Sequence, residues 1–164
     1  MEQNGVHETT IRVRYAETDQ MGVAHHANYL VWFEAARTEC FREHGLPYAS
    51  LEKMGITLPV VECFCQFKTP ARYDQLLVLQ THVVELTKVK LSIGYRVLDH
   101  EERKEMAVGG TVHAFVDRQG RIQRMSRYPE IWQQLEEIVS HLRGNGDQAG
   151  RKRNRAGNRF LQPR

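Results

Sequence analysis

The chain has 164 residues and a formal net charge of +3, with 41% hydrophobic and 26% charged residues. This length suits one domain with a substantial hydrophobic core, and the composition is typical of a globular protein. No apolar run approaches the roughly 20 residues that span a bilayer. The polar segment Met1–Thr10 lacks the apolar stretch of a secretory signal, so we expect a cytoplasmic protein without a membrane segment.

The positive charge is concentrated at the C-terminus. From Gly144 onward, six basic residues accompany a single acid, which gives this segment about +5 and leaves the preceding residues at about −2. The segment is also poor in apolar residues. The sequence therefore predicts a folded domain over residues 1–143 and a basic, disordered tail over residues 144–164. Such a tail could attract nucleic acid only nonspecifically, so no specific nucleic-acid partner is expected.

The first predicted strand lies at Thr10–Tyr15. There Ile11, Val13 and Tyr15 alternate with two arginines, which is the pattern of a half-buried strand. A turn-rich loop follows, in which Gly22 is free to adopt a positive φ.

A long amphipathic helix is predicted from about Asn28, and Gly45 and Pro47 end it. Its apolar positions fall on one stripe, namely Tyr29, Trp32, Phe33, Ala36, Cys40 and Phe41. A second, shorter amphipathic helix begins at Pro129 and ends before Gly144.

Between the two helices, the sequence predicts an irregular stretch and then a run of strands. We place these strands at Leu58–Phe67, Leu76–Leu86, Lys90–Asp99, Glu105–Asp117 and, as a short one, Arg121–Met125. A helix with bulky apolar residues followed by antiparallel strands predicts an α+β fold, in which the helix packs on the sheet.

The cysteines and adjacent histidines do not predict a metal site. Cys40, Cys63 and Cys65 lack the spacing of a zinc site or a disulfide framework, and we expect core or half-buried thiols. The side chains of His25 and His26 diverge, and no H-x-x-x-H pair follows them. We therefore expect no metal and no other cofactor.

Asp19 lies in the loop that leads into the long helix. The free backbone N–H groups at a helix N-terminus, with the positive end of the helix dipole, suit a developing oxyanion. A nearby carboxylate could act as a base or a nucleophile, so the segment favours chemistry on a carbonyl group. From these residues alone, two purely structural roles stay open, in which Asp19 only accepts hydrogen bonds from loop amides and Asn28 only caps the helix.

Residues 15–29 read YAETDQMGVAHHANY, and residues 30–39 read LVWFEAARTE. These segments resemble the signature Y-x-D/E-T-D-x-x-G-V-V-Y-H-A-N-Y and W-F-E-x-A-R of the 4-hydroxybenzoyl-CoA thioesterase family, including its YbgC-like acyl-CoA thioesterase branch. The resemblance extends in element order from about Thr10 to Met125 and includes the turn Lys68–Asp74. It implies a hotdog fold, in which a curved antiparallel sheet of about five to six strands wraps a long central helix.

The resemblance also implies an activity, the hydrolysis of an acyl- or aroyl-CoA thioester. Asp19 would attack the thioester carbonyl or activate water, and the backbone N–H of His26 would polarise the carbonyl oxygen. Further substrate contacts are expected from Tyr15, Gly22, His25, Tyr29, Lys90 and Arg124, the last two binding coenzyme A phosphates. His25 replaces the aromatic residue usual in the family, and Glu17 replaces a commoner aspartate, which we interpret as part of the loop structure.

Family members generally pair two protomers into a continuous sheet, often within a tetramer, so the resemblance implies a homodimer or homotetramer. The expected partner is an acyl-CoA substrate, or the same acyl group on acyl carrier protein. Two alternatives stay open: a hotdog dehydratase, whose His and acidic residue belong to a different motif, and a non-catalytic hotdog protein that binds acyl thioesters.

Overall fold

A six-stranded antiparallel sheet forms the main layer of the computed structural model, which describes residues 2–3 and 5–143. Its strands are β1 (Glu2–Gln3), β2 (Val6–Arg12), β3 (Val60–Phe67), β4 (Leu76–Leu86), β5 (Lys90–Asp99) and β6 (Glu105–Ala114). They lie in the order β1-β2-β4-β5-β6-β3. Within the described residues, β3 is therefore an edge strand, paired only with β6.

Within residues 5–143, three α-helices accompany the sheet: α1 (Ala27–Glu43), α2 (Tyr48–Lys53) and α3 (Pro129–Leu142). The predicted apolar stripe of α1 is confirmed, since all six of its residues are buried. The ring of Phe33 stacks on Tyr95 of β5, with ring centroids 4.3 Å apart. A Cβ at Gly109 would lie only 2.5 Å from the Phe33 ring, so the missing side chain lets α1 lie close to the sheet.

The core lies on the sheet face that contacts α1. Alternate residues of β5 point to it, among them Leu91, Ile93 and Val97. The apolar side of α3 completes the core with Ile131, Leu135, Ile138, Val139 and Leu142. Because one helix-bearing layer covers one face of an antiparallel sheet, the predicted α+β class is confirmed.

The observed bounds of β4 and β5 agree with the predicted ones, whereas the first strand was predicted too late in the chain. The predicted Thr10–Tyr15 is in fact Val6–Arg12, because the backbone turns away after Val13 and enters a 3₁₀ turn at Tyr15–Glu17. The alternation of apolar and polar residues in the sequence continues past the end of the strand because Val13 is still buried in the core.

Three further predicted strands need correction. β6 ends at Ala114 rather than Asp117, and β3 begins at Val60 rather than Leu58. Arg121–Met125 forms no strand. A single bridge joins Val116 to Ile122, and a 3₁₀ turn follows at Met125–Arg127.

The stretch predicted as irregular contains α2, whose six residues are too few to show a helical period. Cys40 is buried and Cys65 half-buried as expected, but Cys63 is exposed because it lies on the edge strand β3. The predicted tail at 144–164 lies outside the described residues. None of the helices in the described part of the chain is long and apolar enough to cross a membrane.

Candidate active site

The loop between the 3₁₀ turn and α1 lies at the end of the sheet where β2 and β5 end and β4 begins. Val13 donates its backbone N–H to the carbonyl of Gln75 at 3.0 Å, just before β4. Ala24 donates its N–H to the carbonyl of Ala71 at 2.7 Å. These bonds attach the segment from Val13 to Ala24 to the turn that precedes β4, so the loop lies at this end of the sheet.

Asp19 occupies the tight turn of this loop and is partly exposed. Its Oδ1 accepts the backbone N–H of Met21 at 2.8 Å, and its carbonyl accepts that of Gly22 at 3.0 Å. Gly22 has φ +72°, which a residue with a side chain rarely adopts. The second carboxylate oxygen has no hydrogen-bond partner in the part of the chain that the structure describes, so one oxygen holds the turn and the other is open.

The start of α1 leaves one backbone donor open. His25 donates its N–H to the carbonyl of Glu17 at 2.8 Å, and Asn28 donates its N–H to the carbonyl of His25 at 3.0 Å. The N–H of Ala27 is bound by Nδ1 of His25 at 3.2 Å. Among the described residues, no acceptor binds the N–H of His26, which is the position at which the sequence predicts an oxyanion donor.

Asn28 does not cap the helix, which corrects the alternative considered for it above. Its side-chain amide donates to the carbonyl of Glu17 at 2.8 Å instead of accepting a helix N–H. The N-cap position is occupied by His26, whose side chain makes no capping bond.

Glu17 is a buried carboxylate that the sequence did not single out as a site residue. One oxygen accepts the backbone N–H of Arg14 at 2.8 Å, and the other accepts the Arg14 guanidinium at 3.0 Å and the indole N–H of Trp32 at 3.1 Å. Burial alone would raise the pKa of Glu17, but the hydrogen bonds from Arg14 and Trp32 outweigh it and lower that pKa below its ordinary value. The indole N–H of a tryptophan on a buried helix stripe needs a hydrogen-bond acceptor, and this requirement is the sequence signal that could have pointed to a buried acceptor such as Glu17.

The remaining motif residues differ in exposure. The rings of His25 and His26 are exposed and their centroids lie 4.1 Å apart, so the two side chains lie side by side and do not diverge, contrary to the prediction from the sequence. Tyr15 is 78% exposed and contacts the ring of Tyr73 edge-on at 5.7 Å. Tyr29 is only 2% exposed and packs in the core against neighbouring aromatic rings. Tyr15, Asp19 and the histidines thus face solvent at one end of the sheet, whereas Tyr29 supports the helix from inside.

Lys90 and Arg124 lie at the opposite end of the sheet. Lys90 begins β5 and forms an ion pair with Glu85 at 2.7 Å. Arg124 is exposed and precedes Met125, whose N–H binds the carbonyl of Lys88 at 2.7 Å. Since β5 has ten residues, its two ends are about 30 Å apart. Within one chain, these cations therefore lie far from Asp19.

Two clefts in the described structure also lie away from Asp19. A cleft of about 710 Å³ near Lys90's end of the sheet is lined by Lys53, Arg118, Arg127 and the ion pair of Arg121 with Asp117, among others. A smaller one of about 330 Å³ lies beside α1 and α2. No group of three His, Cys, Asp or Glu side chains among the described residues is arranged to hold a metal ion.

A buried polar network borders the smaller cleft. The hydroxyl of Tyr95 binds Thr111 at 2.9 Å, and Thr111 binds Nε2 of His113 at 2.8 Å. Nδ1 of His113 lies 3.0 Å from the carbonyl of Leu58, which can only accept, so Nδ1 carries the proton. Burial, together with the charge of Arg37, lowers the pKa of His113 to about 4.

Comparison with known proteins identifies the family. The sequence profile of the thioesterase-like superfamily matches residues 13–143. The chain belongs to the thioesterase-like superfamily. This membership confirms the suspected family and the predicted enzyme class, a thioester hydrolase, and it agrees with the predicted hotdog fold.

Two sequence relatives of this thioesterase-like protein carry related names. The "Putative acyl-CoA thioesterase YneP" of Bacillus subtilis is 38% identical over 110 residues, which cover 66% of this chain and 78% of the relative. The acyl-CoA thioester hydrolase YbgC of Escherichia coli O6:H1 is 32% identical over 91 residues, which cover 56% of this chain and 68% of the relative.

A solved structure extends the likeness of this superfamily member over most of the fold. The DHNA-CoA thioesterase from Staphylococcus aureus superposes with a TM-score of 0.76 at 28% identity, covering 93% of this chain and 96% of that one. The hotdog arrangement predicted from the sequence is therefore confirmed.

Proposed function

We propose that this protein hydrolyses acyl-CoA thioesters to a free acid and coenzyme A, with Asp19 as nucleophile or general base and the backbone N–H of His26 as oxyanion donor. The observation that supports this proposal best is the pairing within one loop of an open Asp19 oxygen and an open N–H at the start of α1. The names of the relatives support the choice of acyl-CoA as the substrate class.

The proposed chemistry needs few groups. With Asp19 as base, its carboxylate accepts a proton from water while the water oxygen bonds to the thioester carbonyl carbon. The carbonyl oxygen becomes an oxyanion, which the His26 N–H and the positive end of the helix dipole stabilise. The intermediate then collapses, the C–S bond breaks, and coenzyme A leaves as a thiolate that needs little acid assistance. With Asp19 as nucleophile, the same oxyanion precedes an acyl-aspartyl anhydride, which water hydrolyses.

The proposed site needs two copies of the chain if Lys90 and Arg124 bind the coenzyme A phosphates, because in one chain they lie at the far end of the sheet from Asp19. The exposed edge of β3 supports such pairing, since Val60, Val61 and Phe67 are each 45% exposed or more. A long apolar edge is an aggregation liability unless another strand covers it. Antiparallel pairing about a twofold axis would bring opposite ends of the two sheets together.

We therefore propose a homodimer, or a homotetramer built from two such dimers, in the cytoplasm. Sedimentation or light scattering of the purified chain would measure its mass. A monomer at micromolar concentration would contradict this part of the proposal.

The direct test of the function is a panel of short aliphatic, long-chain and aromatic acyl-CoA esters, with detection of the free thiol. The same acyl groups on acyl carrier protein form a second arm. We expect thiol release from at least one coenzyme A ester. Tight binding of these esters without thiol release would contradict the proposal and favour the non-catalytic alternative, and reversible hydration of an enoyl thioester would favour the dehydratase.

A further inference from the structure

The peptide unit between His25 and His26 carries the N–H that the proposed function assigns to the oxyanion. The carbonyl of the same unit accepts the N–H of Asn28 at 3.0 Å, inside the first turn of α1. In a trans peptide the C=O and N–H bonds point in opposite directions. Because the carbonyl is held toward the helix, the N–H of His26 points away from it, beyond the N-terminus.

A single oxygen fixes the residues on both sides of this peptide unit. The carbonyl of Glu17 accepts the N–H of His25 and the side-chain amide of Asn28, each at 2.8 Å. One bond lies before the peptide unit and the other after it. The Glu17 carbonyl and the Asn28 side chain therefore restrict rotation of the unit from both directions.

The Glu17 carbonyl is itself held in place by the side chain of the same residue. Glu17 is 4% exposed, and its carboxylate accepts three hydrogen bonds, from the backbone and guanidinium of Arg14 and from the indole of Trp32. Trp32 is 2% exposed and belongs to the core stripe of α1. A continuous set of bonds thus runs from the core, through Glu17, to the peptide that bears the open N–H.

We propose that Glu17 and Asn28 are positioning residues for thioester hydrolysis: they set the direction of the His26 N–H without touching the reacting atoms. The inference rests on the proposed function and adds to it. Neither residue is expected to contribute to binding of coenzyme A, because the side-chain NH₂ group of Asn28 and the carboxylate of Glu17 are engaged with the protein.

The test compares Asn28→Asp with the wild type and with Gln133→Glu. Asn28→Asp has nearly the same shape but loses the donor to Glu17, and an acid near a helix N-terminus favours folding of α1. Gln133→Glu makes the same chemical exchange at an exposed position of α3 and serves as the matched control. A misdirected catalytic group can lower a rate about 10²-fold. We expect Asn28→Asp to lose about that much kcat with KM within a fewfold, and Gln133→Glu to match the wild type.

Binding of two inhibitors separates positioning from general damage to the fold. A trifluoromethyl ketone analogue of the substrate mimics the oxyanion, whereas an alkyl-CoA thioether has no carbonyl. We expect Asn28→Asp to lose affinity for the ketone by about the factor lost in kcat and to keep its affinity for the thioether. Glu17→Gln replaces one acceptor oxygen by an NH₂ group. This variant should lower both kcat and the affinity for the ketone by about tenfold.

Different results overturn the two proposals. If the wild type hydrolyses acyl-CoA and Asn28→Asp is fully active as well, the positioning role is contradicted but the proposed function is not. Equal loss of affinity for the ketone and the thioether contradicts it as well. A folded wild type that releases no thiol from any ester contradicts the proposed function, and the positioning role falls with it.

Discussion

His113 should make the stability of the protein depend on pH between about 4 and 6.5. In the folded chain its imidazole is fully buried, donates to the carbonyl of Leu58 and accepts from the hydroxyl of Thr111. Burial and the nearby Arg37 lower the pKa of His113 from 6.5 to about 4. As the pH falls below 6.5, the unfolded chain binds a proton that the folded chain does not, so the free energy of unfolding decreases until the pH reaches about 4.

The size of this effect follows from the pKa difference. One pKa unit corresponds to about 1.4 kcal/mol, so a shift from 6.5 to about 4 corresponds to about 3 kcal/mol. His82 contributes in the same direction, since burial also lowers its pKa. The contribution of His113 must therefore be measured as a difference between variants.

The informative variant is His113→Gln, whose amide can donate to Leu58 and accept from Thr111 but does not titrate. Urea unfolding at several pH values between 4 and 7 measures how much stability each protein loses on acidification. We expect His113→Gln to lose about 3 kcal/mol less than the wild type. His100→Asn, at an exposed position, is the control and should keep the wild-type dependence. If His113→Gln and the wild type lose the same stability between pH 6.5 and 4, the assignment of a buried neutral imidazole is wrong.

Three further predictions concern packing, substrate binding and the C-terminus. Gly109→Ala should destabilise the fold by about 1–3 kcal/mol, because its Cβ would collide with the Phe33 ring; an unchanged urea midpoint would contradict this packing. Replacing Lys90 and Arg124 by Ala should raise KM for acyl-CoA about tenfold but not for an acyl-pantetheine thioester, which lacks the nucleotide phosphates; equal effects on both would refute phosphate binding. A chain ending at Arg143, where the family match ends, should hydrolyse acyl-CoA within a fewfold of the full rate.

The strands β4 and β5 could be predicted from sequence, since their own alternation marks their ends, whereas β6 was predicted three residues too long. β4 and β5 have neighbours on both sides, and their observed bounds are the predicted ones. The first strand is different. His7 to Thr9 show little apolar pattern, and they form a strand because β4 pairs with them, which is a long-range effect. Val13 and Tyr15 continue the alternation only because Val13 is buried beyond the strand end.

The candidate site shows the same division between local and long-range features. Asp19 and His26, the N-cap of α1, are seven residues apart in one loop, so a short motif suffices to predict both. The bond from Trp32 to Glu17 joins residues 15 positions apart, and no local pattern reveals it. The separation of Lys90 and Arg124 from Asp19 depends on the strand order of the whole sheet. His25 was expected to contact the substrate, and its bond to the backbone N–H of Ala27 could not be predicted because it depends on a side-chain conformation.

The most direct measurement is the rate of thiol release by Asp19→Asn on the best acyl-CoA ester. The Asn side chain keeps an oxygen that can accept the Met21 N–H, so the loop turn and the melting temperature should be retained. Loss of the ionised group should lower kcat about 10²- to 10⁴-fold. A folded Asp19→Asn variant that hydrolyses the ester at nearly the wild-type rate would contradict the central claim that this carboxylate carries the reaction.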